Sequence, residues 1–146
     1  MIKSGGEWIS SVDLENALAG KYTRNLPLLV HYGHILTGCL WFTALPGVQM
    51  ACVVAMPHPR WDERPVAIVQ MAPGQEGNAP TKEEMDDYLL NTPDSRGLKF
   101  AKFQLPDEIL VWEAIPMTST GKMSKKDARD ALQKDGYELP SMRASL

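Results

Sequence analysis

The chain has 146 residues, 44% hydrophobic and 23% charged, which is the mixture expected of one globular domain with a modest core. Its net charge of -3 gives no electrostatic footprint for nucleic acid. Cys39 and Cys52 are too few for a disulfide framework and lack CxxC spacing, so they read as free thiols of an intracellular, cytoplasmic protein.

Near the start, Gly5-Gly6 and Glu7 stand where a secretory leader would need an apolar run. Lys3 to Trp8 reads as an extended segment broken by glycines. Ser10 with Asp13 forms a weak capping box, and Val12, Leu14 and Leu18 supply apolar positions for a short helix to about Ala19. Val48 to Met56 is a dense apolar run ended by Pro57 and Pro59, which predicts a buried strand. Pro65 to Met71 predicts a second strand, and Pro73 to Pro80 a loop. The Arg60-Trp61-Asp62-Glu63-Arg64 run between the strands reads as a structural turn with local ion pairs.

Thr81 with Glu84 is a stronger capping box, opening a helix through Met85, Tyr88 and Leu89. Pro106 precedes a third strand, Ile109 to Trp112. Ser124 with Asp127 caps a last helix carrying Ala128, Ala131 and Leu132. The order β, α, β, β, α, β, α predicts an α+β fold, a small mixed β-sheet with packed helices. The C-terminal Ala144-Ser145-Leu146 lacks the basic middle residue of a peroxisomal tripeptide.

Pro116-Met117-Thr118-Ser119-Thr120-Gly121-Lys122 is the most informative stretch. It reads as a flexible loop that ends in a lysine and leads into a basic helix. A lysine delivered on such a loop is a compact charge on a long stem, suited to a reaction between a carboxylate and a phosphate. The stretch is not a nucleotide P-loop, because Met123 follows Gly121-Lys122 and Pro116 stands at the first glycine position.

This stretch resembles the C-terminal signature of acyl-CoA synthetases, members of the acyl-adenylate-forming superfamily. Ile2-Lys3-Ser4-Gly5-Gly6-Glu7-Trp8-Ile9, with the helix through Asn16, is similar to the family's segment after the interdomain hinge. Its wording is nearest to medium-chain fatty-acyl and methylmercaptopropionyl CoA ligases. Ala51 to Pro65 and Phe100 to Pro106 also resemble family segments.

The resemblance implies a C-terminal lid domain spanning 1–146. Lys122 would be the adenylation lysine, contacting the carboxylate and the α-phosphate of ATP. Ser4, Gly5, Gly6 and Trp8 would line the coenzyme A channel, and Lys3, Lys99 and Lys102 could meet its phosphates. Magnesium would accompany ATP in the full enzyme. The partners implied are a carboxylic acid, fatty or otherwise small, and an N-terminal adenylation domain that this chain does not contain. The domain alone would then be inactive. Two rival readings are a free-standing module that docks on a separate adenylation domain and a small membrane-associated protein.

The membrane reading comes from Lys21 to Thr43, a block without a family counterpart. Asn25 to His58 contains no Asp, Glu, Lys or Arg, and Leu26 to Phe42 has nearly the length of a membrane span. Pro27, His31 and His34 interrupt it. No carboxylate or cysteine pattern turns His31 and His34 into a metal site.

A translated intron accounts for the block. Gly20-Lys21-Tyr22 can be encoded GGT AAG TAY, containing a splice-donor string, and Phe42-Thr43-Ala44 as TTY ACA GCN, containing an acceptor. Joining them keeps the frame and fuses Gly20 and Ala44 into a single alanine before Leu45. A lineage-specific surface loop is the other account, since loop closure costs grow slowly with length.

Overall fold

The computed structural model describes residues 1–19, 45, 47–91 and 99–140. The block at 21–43, with its histidine pair and its membrane and intron readings, lies outside the described residues. Among these residues, no helix is long and apolar enough to cross a membrane.

The elements follow the predicted order. A hairpin of β1 (Ile2–Ser4) and β2 (Glu7–Ile9) leads into α1 (Ser11–Ala19). Next come β3 (Val48–His58), β4 (Asp62–Met71), α2 (Lys82–Asn91), β5 (Ile109–Val111) and α3 (Lys125–Lys134). The sheet runs β2-β1-β4-β3, all antiparallel, and β5 joins β4 in parallel. The sheet is therefore mixed.

Both long strands are covered on both faces, so they read as almost continuous apolar runs. On one face Ala51, Val53, Ala67 and Val69 pack with Ile9, Leu14 and Leu18 and with Met85 and Leu89 of α2. On the other, Cys52, Val54, Met56, Val66 and Ile68 meet Ala128 and Leu132 of α3.

The predicted caps form. The Ser10 hydroxyl accepts the Asp13 N–H at 3.2 Å. Thr81 and Glu84 bond reciprocally, at 2.8 and 3.2 Å. Ser124 caps α3 by accepting from the Asp127 N–H.

The strands extend past their predicted ends. Pro57 does not stop β3, and Pro65 lies inside β4 rather than starting it. The register explains this. The Val53 N–H bonds to a side chain outside the β3–β4 ladder, so alternation turns Ala55 and Pro57 outward as well. Pro65, opposite Ala55, faces away from β3, and its carbonyl accepts the Asp107 N–H. Neither proline removes a ladder bond.

Candidate functional site

Lys122 sits on a tied hairpin rather than on a slack loop. The Thr118 N–H donates to the Lys122 carbonyl at 2.7 Å, and the Gly121 N–H donates to the Thr118 carbonyl at 2.9 Å. The Lys122 N–H donates to the Thr118 hydroxyl at 3.1 Å, and the hydroxyls of Thr118 and Thr120 lie 2.9 Å apart. Met117 and Met123 bridge beneath. Gly121 holds the left-handed position, φ 76°, that a three-residue hairpin loop requires.

Thus Thr118, Thr120 and Gly121 shape the backbone, while Lys122 is exposed at its edge. Its ammonium makes no ion pair with a described residue. Lys125, nearby in sequence, bonds instead to Glu15 at 2.8 Å.

The Gly5-Gly6 hairpin is the second predicted segment. Both glycines have positive φ, 56° and 90°. Their surroundings differ. A Cβ on Gly5 would lie 2.7 Å from Trp61 Cε3, whereas one on Gly6 would meet nothing within 4 Å. Gly5 is therefore a packing glycine, and Gly6 is the one open to an approaching ligand. Ser4 is buried, and its hydroxyl accepts from Arg64 Nη1 at 3.2 Å. Trp8 is 59% exposed.

Beside this hairpin a cavity of about 350 Å³ is lined by Ser4, Gly5, Glu7, His58, Trp61, Arg64, Phe103 and Asp107. Trp61 and Phe103 are its exposed aromatic walls, 41% and 44% accessible. The turn carrying Trp61 is held firmly. His58 Nδ1 accepts the N–H groups of Arg60 and Trp61, both at 3.1 Å, and the Trp61 carbonyl accepts the Gly5 N–H at 2.9 Å. Arg60 stacks on the Trp61 ring at 4.8 Å.

Arg64 closes the floor with all five of its N–H groups. They reach Asp107 Oδ1 twice, Ser4 Oγ, and the carbonyls of Phe103 and Leu105. The ion pairs of this turn are therefore long-range rather than local: Arg64 with Asp107, and Asp62 with Lys3 at 3.6 Å.

The structure brings Ser4 and Gly5 to one cavity and leaves Gly6, Trp8 and Lys122 outside its walls. Sequence reasoning missed Trp61, Phe103 and His58 as cavity residues. The available signal was an aromatic at the centre of a charged turn, next in space to a diglycine. Burial pushes the Cys52 thiol up to about 11, with a smaller contribution from the Glu15 carboxylate, so it is inert and has no place in the site.

An α+β domain that offers a lysine from one hairpin and a diglycine from another has the architecture of the C-terminal part of acyl-CoA synthetases. The fold matches a Brucella canis acyl-CoA synthetase with a TM-score of 0.63 at 23% identity, over 92% of this chain and 19% of that one. It matches a Mycobacterium tuberculosis fatty acyl CoA synthetase with a TM-score of 0.62 at 24% identity, over 92% and 20%. At such identities the likeness shows the fold alone.

The sequence is 43% identical over 130 residues to a long-chain-fatty-acid–CoA ligase of Thermus thermophilus, covering 89% of this chain and 18% of that ligase. It is 37% identical over 130 residues to a 3-methylmercaptopropionyl-CoA ligase of Ruegeria pomeroyi, with the same coverage. A family model for the AMP-binding enzyme C-terminal domain matches residues 42–122, more than half of the chain. The chain belongs to that family. It spans about a fifth of the length of the curated relatives it matches.

Proposed function

We propose that this domain is the lid of a carboxylic acid–CoA ligase, acting on a fatty or other small acid together with an N-terminal adenylation domain. The observation that carries the reading is Lys122 at the edge of a cross-linked hairpin, its ammonium in no ion pair with a described residue. Forming an acyl-adenylate builds negative charge between the carboxylate oxygen and the α-phosphate of ATP. An ammonium brought there by domain closure stabilises that charge most in the transition state.

The diglycine hairpin serves the second step, attack of the coenzyme A thiol on the adenylate. Gly6 gives the thiol arm a close backbone approach, and Trp61 with Phe103 supports stacking of a planar base such as the adenine of coenzyme A. Among the described residues no group of three His, Cys, Asp or Glu is placed to hold a metal ion.

The test fuses this chain behind the adenylation domain of the Thermus thermophilus ligase. Acid-dependent pyrophosphate exchange reports adenylation, and single-turnover thioester formation from preformed acyl-adenylate reports transfer. Lys122→Ala should lower exchange by on the order of a hundredfold or more and spare transfer. Equal loss of both steps, or loss of neither, would remove the lysine from the chemistry.

A further inference from the structure

Glu15 is a buried carboxylate in the middle of the domain, its side chain 6% exposed. Its Oε1 accepts the Val53 N–H at 2.7 Å and pairs with Lys125 Nζ at 2.8 Å. Lys125 Nζ also donates to the Ser11 hydroxyl at 2.8 Å. One ammonium and one carboxylate thus join α1, β3 and the first turn of α3.

The two helices in this junction have special neighbours. α1 begins directly after the Gly5-Gly6 hairpin. α3 begins directly after the Lys122 hairpin, to which it is bound through the Ser124 N–H and the Pro116 carbonyl at 2.8 Å. α3 buries Ala128 and Leu132, one narrow apolar stripe against the sheet. Its first turn is fixed by Lys125.

As a source of stability, a buried ion pair is a poor choice, because well-packed apolar side chains of similar volume often serve as well or better. An apolar pair would not satisfy the Val53 N–H, nor would it fix one rotation of α3 by direction-dependent bonds.

We infer that Ser11, Glu15 and Lys125 form a positioning unit that holds the Lys122 hairpin in fixed relation to the Gly5-Gly6 hairpin. They touch no reacting atom. The functional meaning of the unit rests on the lid reading above; its mechanical content does not.

The discriminating variant is Glu15→Gln with Lys125→Met in the 146-residue chain. The amide oxygen still receives the Val53 N–H, and methionine replaces the lysine stem, so packing persists while the bridge is lost. Backbone amide order parameters from NMR relaxation are the readout. In the parent and in Lys125→Arg, amides 118–122 should sit near about 0.85, as in rigid backbone. In the double variant they should fall below about 0.6 while those of β3 and β4 stay put. The melting temperature should shift by less than about 5 °C.

Unchanged order at 118–122 in the double variant would overturn the inference. So would an even loss of order across hairpin and sheet, or a Lys125→Arg protein as loose as the double variant. If Lys122→Ala proves harmless in the fusion and the double variant still frees the hairpin, the positioning unit stands and the lid reading fails.

Discussion

Replacing Arg64 tests the account of the cavity floor most directly. Its guanidinium places five N–H groups on four acceptors drawn from β1, the segment before β5, and Asp107. Removing one partner of a buried ion pair costs about 3–5 kcal/mol. Here the two side chains retain 13% and 16% exposure, so water softens the loss and the lower end, about 3 kcal/mol, is expected for Arg64→Ala. Lysine brings three donors on a point charge in place of a planar fork of five, so Arg64→Lys should still lose about 2 kcal/mol. Equilibrium urea unfolding followed by tryptophan fluorescence measures both. With a slope near 2 kcal/mol/M, the alanine midpoint should fall by about 1.5 M. A loss under about 1 kcal/mol for Arg64→Ala, or a lysine variant equal to the parent, would refute the argument that the fork ties these segments together.

Gly5→Ala should displace the Trp61 ring and cost about 1–2 kcal/mol for the left-handed backbone besides, whereas Gly6→Ala should pay the backbone cost alone. The Trp61 indole N–H resonance checks this, and equal shifts in the two variants would contradict the assignment of Gly5 to packing. For Cys52, the fold keeps the thiol neutral up to about pH 11 while the unfolded chain ionises near about 8.5, so stability falls as pH rises between these values. From pH 8.5 to 10.5 the parent should lose about 2 kcal/mol more than Cys52→Ala, and parallel stability curves would count against it. The Leu45 N–H donates to the Leu18 carbonyl at 3.2 Å, so the flanks of the 21–43 block adjoin, and the family match begins at its downstream end, residue 42. Joining Ala19 through one alanine to Leu45 should leave the fold intact, with the same β3–β4 amide spectrum and no loss in melting temperature; a lower melting temperature would make the block a structural element.

Local features were legible in the sequence because their causes are local. The Thr81/Glu84 and Ser124/Asp127 signatures each lie within one helical turn, and the apolar runs of β3 and β4 announce strands buried on both faces. Thr118 to Lys122 read only as a flexible loop, because its closure into a hairpin depends on which hydroxyl meets which amide. The prolines misled because their effect depends on the direction of the missing N–H, which only strand register decides. Partners across the chain left no trace in spacing. Arg64 meets Asp107 43 residues away, and Lys125 meets Ser11 114 residues away. The cavity beside Gly5 was hidden for the same reason: its aromatic walls come from two segments joined only by the fold.

The bond from Val53 to Glu15 has a consequence for the domain in concentrated solution. Among the described residues β3 is the outermost strand of the sheet, eleven residues long and strongly apolar, the kind of edge on which other chains add. Its outward positions are Ala51, Val53, Ala55 and Pro57. The Val53 donor is taken by the carboxylate, and Pro57 has none. An incoming strand would find no free donor at Val53 or at Pro57, on either side of Ala55, and would meet a buried charge at the first. The domain thereby resists growing into a neighbour's sheet, and a leucine at position 15 would hand that edge back to aggregation.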